Sequence, residues 1–324
     1  MENLAFYLPF LIPAVVAQFG ERQRWARYTT YALLVAINVG LLGIVGLALL
    51  NEFARSFTPH LLEPMAVRVD WLAVAAICLL TSLLAFLPLL SPVRRWLAGR
   101  LPIDPDSMVH MTALAFVVYQ IGLTLAQMVL IGDLENLVDA GLTLSIWDVL
   151  LSGLPLALFA LVGVGLFIRR DLRSTLDRLG LQISTWQHLV VAAVLILALL
   201  ALNYGLNLLW ESVDPEGYDL VERVTESLFG GLTTVAGAVV LGLSAGISEE
   251  MLFRGAVQPR LGILLTTVLF AVGHLQYGLT LAMLQVFIIG LVLGWVRQRS
   301  NTTTCILIHT GYNALIVLLG LWLP

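Results

Sequence analysis

Apolar stretches close to twenty residues long recur along this whole chain, and that recurrence limits its fold more than any other feature. A helix needs about 20 apolar residues to cross the hydrocarbon core of a bilayer. Such stretches fall at roughly 4–19, 29–50, 71–90, 111–132, 147–168, 189–210, 229–250, 262–278, 281–296 and 304–323. The first is broken by Pro9 and Pro13, and only Gly278 to Thr280 separate the eighth from the ninth. A chain of 324 residues that is 59% hydrophobic and 12% charged does not resemble a soluble domain. The expectation is an all-α fold: a polytopic integral membrane helical bundle of about nine or ten transmembrane helices.

Charge gives the bundle a direction. Arg22, Arg24 and Arg27 lie in the first loop, and Arg94, Arg95 and Arg100 in the third. Arg169, Arg170, Arg173 and Arg178 lie in the fifth, Arg254 and Arg260 near the seventh, and Arg297 and Arg299 in the ninth. The even loops are neutral or acidic. The positive-inside rule then predicts a multi-pass protein of the cell membrane with its odd loops in the cytoplasm and both termini outside. Residues 218 to 228 carry Leu220, Val221, Val224 and Leu228 on one side and acids on the other, as an interfacial helix does. The start, Met-Glu-Asn, lacks a basic n-region and reads as a retained first span.

Several function classes are excluded early. All 17 basic residues are arginine, so there is no Ser–Lys dyad, no Schiff-base lysine and no Walker-type phosphate loop. A net charge of −4 gives no reason to expect nucleic acid as a partner. Cys78 and Cys305 both lie inside apolar runs and read as small core residues. No internal repeat is visible, which argues against a transporter.

The polar groups inside the spans are concentrated in the C-terminal half. We place the main boundary there: 1–185 is an N-terminal transmembrane region, and 186–324 holds nearly all the intramembrane polar residues. The first constellation is Glu249-Glu250-x-x-x-Arg254, which ends the uncharged, glycine-rich run Leu232 to Ile247. Ionisable groups at membrane depth are expensive and tend to mark function. The second constellation is Phe270-x-x-x-His274 and the third His309-x-x-x-Asn313.

Residues i and i+4 share a helix face, so Glu250 and Arg254 can pair. Glu249 is turned about 100° away and is left to face a different wall. A turn at Pro259 to Gly262 would place Glu249 and Glu250 ~14–15 Å before it and His274 ~18 Å after it. Counted from Thr302, His309 is ~10 Å in and Asn313 ~17 Å in. These groups can meet in one layer. A buried carboxylate beside an imidazole can take a proton from water as general base. A second histidine and an asparagine can donate to a developing oxyanion. Together they suggest peptide hydrolysis. Glu249, His274 and His309 are also a possible zinc set, although no His-Glu-x-x-His helix exists.

Other candidates have plainer readings. His60, His110 and His188 lie in loops or at span edges. Gly242-Leu-Ser244-Ala-Gly246 matches a nucleophile-elbow pattern, but that motif needs a strand-to-helix turn and this one lies within a membrane helix. Gly242 and Gly246 read better as a close helix-packing surface. Trp71, Trp147, Trp210, Trp295 and Trp322 fall near span ends, as interfacial anchors do.

The three constellations, in this order on successive C-terminal helices, resemble the CAAX protease and bacteriocin-processing family, also called the Abi family. That family includes the CAAX prenyl protease type 2. The run Arg173 to Leu181 also resembles its usual lead-in, so the likeness covers roughly 180–322. Residues 1–180 resemble no known family. The resemblance implies an intramembrane endopeptidase, a hydrolase of glutamate or metallo type acting on a membrane-associated peptide or protein at the cytoplasmic side. It implies that Glu249 and His274 activate the attacking water, that Glu250 and Arg254 support them, and that His309 and Asn313 stabilise the oxyanion. It leaves open whether no cofactor is needed or a divalent metal such as zinc is bound, with Glu249, His274 and His309 as candidate ligands. It does not bring a prenylated substrate with it. The alternatives are a non-catalytic immunity or scaffold protein of the same fold, and a small-solute transporter.

Overall fold

The computed structural model describes residues 2–57 and 69–322; His60 lies outside them. Fourteen helices follow in chain order: α1 (Glu2–Gly20), α2 (Arg24–Phe57), α3 (Trp71–Phe86), α4 (Ser91–Ala98), α5 (Met108–Ile131), α6 (Glu135–Asp139), α7 (Ile146–Val164), α8 (Leu172–Leu179), α9 (Trp186–Val213), α10 (Pro215–Phe229), α11 (Val235–Glu250), α12 (Gln258–Val272), α13 (Leu281–Arg299) and α14 (Thr302–Trp322). A π-helical segment, Met251–Val257, joins α11 to α12. No strand occurs among the described residues. The protein is a polytopic helical membrane bundle.

Local chemistry sets the helix ends. Ser107, Ser145, Asp171, Thr185 and Thr234 each accept a bond from the free backbone amide three residues on, which starts α5, α7, α8, α9 and α11. Left-handed glycines, Gly165 at φ 92° and Gly180 at φ 71°, stop α7 and α8.

Among the described residues, eight helices are long and apolar enough to cross a membrane; α1 contributes only the shorter apolar helix Tyr7–Gly20. The eight include Val235–Val272 as a single run, although it covers two of the expected spans. That run is not straight. A straight helix would hold Glu249 and His274 ~37 Å apart, at 1.5 Å per residue. Their side chains approach to 3.9 Å, so the chain must reverse between them. It does so at Gly262, whose φ of 75° and ψ of 175° are non-helical and suit a residue without Cβ. The returning arm, 263–272, is only ~15 Å long. Gly290 of α13 lies against Thr267 and Phe270 of this arm, and Gly294 against Ile263. The two glycines let α13 approach closely.

Two compact units emerge, one of Leu8–Asn136 and one of Met1–Tyr7 with Leu137–Pro324. In the first, Leu34, Met111, Ala115 and Tyr119 form the core. The spans of this unit do hold a converging polar pair that the sequence reading missed: Asn38 donates to the Tyr119 hydroxyl at 2.9 Å and to Leu34 O at 3.0 Å. Arg94 is also buried, with its guanidinium on the carbonyls of Pro88, Leu89 and Pro105. His110 caps a turn, accepting from Asp104 N at 2.8 Å.

In the second unit, α11 packs on α14 through the two glycines of the decoy motif. A Cβ on Gly242 would stand 2.6 Å from Thr310 O, and one on Gly246 2.9 Å from Thr310 N. Across α11, Gly153 of α7 meets Ser244, whose hydroxyl donates to Val149 O at 2.8 Å. Ser244 thus serves helix packing from inside α11. Amphipathic α10 buries Val221 and Val224, and Tyr218 packs edge-on against Trp210 at 5.8 Å. His188 completes the capping box that starts α9.

Candidate active site

Two ion pairs, both in the second unit, organise the site. Glu250 and Arg254 are fully buried, with Oε2 and Nε 3.3 Å apart. On its other oxygen, Glu250 meets His309 Nδ1 at 2.9 Å. Burying one unpaired charge here would cost several kcal/mol, so the carboxylate and the guanidinium require each other. Arg254 also donates to Gly290 O at 3.2 Å and sits 4.4 Å over the Phe270 ring, a favourable cation–π position. Three helices, α11, α13 and α14, are thereby tied to one carboxylate.

Glu249 lies beside this knot without joining it. Its Oε2 is 3.9 Å from His274 Nε2, and both side chains are nearly four-fifths buried, at 18% and 19% exposure. That separation exceeds a hydrogen bond. Glu249 Oε2 is buried and has no hydrogen-bond partner. A water shared by two such acceptors would satisfy both.

His274 does not sit on the helix where its spacing from Phe270 implied. The helix α12 ends at Val272, and His274 begins the 3-10 turn Leu275–Tyr277. Its Nδ1 lies 2.8 Å from Phe270 O, one of the carbonyls that a helix end leaves free. As a carbonyl only accepts, Nδ1 carries the proton, and in the neutral tautomer Nε2 presents a lone pair to Glu249. Phe270 packs against both histidines, with ring centroids 4.8 Å from His274 and 5.9 Å from His309. Tyr277 lies parallel to the His274 ring at 6.3 Å.

His309 is held the same way, its Nδ1 committed to a carboxylate. With Nδ1–H committed to the carboxylate, its Nε2 donates only when the ring is doubly protonated. Asn313 lies one turn further along α14, half-buried.

The sequence therefore anticipates the Glu250–Arg254 pair, the separation of Glu249 from that pair, and the meeting of His274 and His309 with the two glutamates. Two features escape it. One is the π-helical segment Met251–Val257, a form that often marks functional sites. The other is a polar cluster where Gln285 donates to Tyr312 OH at 2.9 Å and also to Asn203. Its signal was visible as single amides in otherwise apolar spans.

The three zinc candidates do not assemble as a ligand set. His309 turns Nδ1 to Glu250, while Glu249 and His274 face each other. Among the described residues, no three or more His, Cys, Asp or Glu side chains are grouped to hold a metal ion.

Residues 231–315 match the family described as type II CAAX prenyl endopeptidase Rce1-like, in agreement with the resemblance read from the sequence. The match spans α11 to most of α14 and contains all six site residues. No curated protein and no solved structure matches the chain.

Proposed function

We propose that this chain is an intramembrane endopeptidase that hydrolyses a peptide bond of a membrane-associated peptide or protein, of CAAX type or another. The reading is supported above all by Glu249 Oε2 and His274 Nε2, two acceptors facing each other across 3.9 Å at a site otherwise closed by ion pairs.

A water between them donates one hydrogen to each and keeps a lone pair for the scissile carbonyl. Glu249 takes the proton as the water oxygen attacks. The tetrahedral oxyanion is met by the Asn313 amide and by Nε2–H of the His309 imidazolium, which Glu250 and Arg254 hold in place. Collapse breaks the C–N bond, and the proton held on Glu249 passes to the leaving amine. Every step uses this chain's own groups, so we place the enzyme with the glutamate type. We assign catalysis to residues 186–324, with 1–185 as an N-terminal transmembrane region. The arginine-rich loops support a site toward the cytoplasmic side of the cell membrane.

The test is cleavage of a farnesylated CAAX peptide and of an unprenylated peptide library by the purified chain, beside Glu249→Gln and with a chelator. Turnover that survives the chelator and falls 10²–10⁴-fold in Glu249→Gln is expected, the usual contribution of a general base. Turnover lost to the chelator would replace this mechanism by a metal one. No turnover on any peptide would favour the immunity or scaffold reading.

A further inference from the structure

We infer that Arg170, Arg178 and Arg297 form a binding site for the headgroup of an anionic phospholipid. The end of α8, the π-helical segment, the end of α13 and the start of α14 meet at one place. Arg178 donates to Gly255 O at 2.9 Å, and Arg297 to Arg254 O at 3.1 Å. Arg297 also lies against Gly180, where an added Cβ would stand 2.7 Å from its Nη2. Thr302, the first residue of α14, donates its amide to Gly180 O at 3.0 Å. Arg170 holds Val164 O at the end of α7.

Three guanidinium groups thus gather there, all half-buried. Burial and the charges of Arg260, Arg170 and Arg297 together pull the Arg178 pKa down to about 10. A topological bias toward basic loops requires arginines on one side of a membrane, but it does not require them to crowd. Each of these three guanidiniums has five N–H donors, and the carbonyl bonds of Arg170, Arg178 and Arg297 use few of them.

The same connection between α7 and α9 exposes apolar side chains. Phe167 is 81% exposed at a left-handed φ of 57°, and Ile183 is 95% exposed. Leu172 and Trp186 are exposed beside them. A small anion would answer the charge but not these apolar side chains. A phospholipid answers both, its phosphate among the arginines and its acyl chains along the apolar residues. The headgroup would brace Arg254 O and Gly255 O, the backbone that carries the buried pair.

The experiment is native mass spectrometry of the full chain in detergent, titrated with phosphatidylglycerol or phosphatidylcholine. Phosphatidylglycerol should bind at least tenfold more tightly. Arg170→Gln and Arg178→Gln should each weaken it about fivefold, while Arg178→Lys, which keeps the charge, weakens it less. Arg95→Gln, outside the cluster, should leave it unchanged, and a thermal scan checks that each variant is folded. No preference for phosphatidylglycerol, or an equal loss in Arg95→Gln, would overturn the proposal. So would displacement by inorganic phosphate, which would make the ligand a free anion. Displacement by a peptide with a free C-terminal carboxylate, but not by its amide, would reassign the cluster to substrate.

Discussion

Replacing Gly246 by alanine tests whether the α11–α14 contact sets the site geometry. An added Cβ would stand 2.2 Å from Thr310 Oγ1, 2.9 Å from Thr310 N and 3.2 Å from Ile306 O. The hydroxyl can rotate away; the backbone atoms cannot. Moving Thr310 N to ordinary van der Waals contact separates the helices by about half an ångström or more. His309 adjoins Thr310 on the same helix, so its 2.9 Å contact with Glu250 stretches beyond good hydrogen-bond length. Overpacking costs about 1–3 kcal/mol, partly offset by the ~1 kcal/mol that alanine gains over glycine in a helix. Gly320, on the same α14, has nothing within 4 Å of an added Cβ, so Gly320→Ala isolates the propensity gain. We expect Gly246→Ala to unfold at lower SDS fraction than Gly320→Ala, by about 1–3 kcal/mol. We expect its turnover to fall by much more than its stability, because displacements near 1 Å can cost 10²-fold. Equal stability and equal turnover in the two variants would refute the reasoning.

Further tests follow from the buried charges and the caps. Glu250→Gln strands Arg254 and should cost about 3–5 kcal/mol in the same SDS assay, much of it recovered when Arg254→Met is added. Tyr312→Phe loses the bond from Gln285 and should cost only ~0.6 kcal/mol without changing turnover, as expected of helix-joining polar groups. A large turnover loss there would make that cluster part of the site. Hydrogen bonds from Ser174 hold the Asp171 carboxyl below its ordinary range. That cap is therefore complete above the unfolded-state pKa and fails as pH falls through the lower folded value. Protection of the α8 amides, corrected for intrinsic exchange, should fall as pH drops through that folded value, and show no such step in Asp171→Ala.

Span content was legible because apolar length is a local property, and so was the α8 connection, bounded by Asp171 and Gly180. The Glu250–Arg254 pair was legible because four-residue spacing holds even at the entry to a π-helix. Asn38 with Tyr119 was not legible, because its partners lie 81 residues apart and tyrosine counts as apolar in a hydropathy scan. The true place of His274 was hidden for a different reason. Helix spacing predicts a shared face with Phe270, and the ring does lie there, yet it arrives by folding back onto a free carbonyl. The same proximity has two structural origins, and only the structure separates them.

The short returning arm has a consequence for supply. The chain reverses at Gly262, regains only ~15 Å as α-helix, and then runs to Thr280 with a single 3-10 turn, Leu275–Tyr277. Irregular backbone at membrane depth persists only where protein or water answers its polar groups. A hydrolase consumes one water per bond cut, and lipid supplies none. Under the proposed hydrolysis, the polar backbone around His274 is where water is expected to reach Glu249.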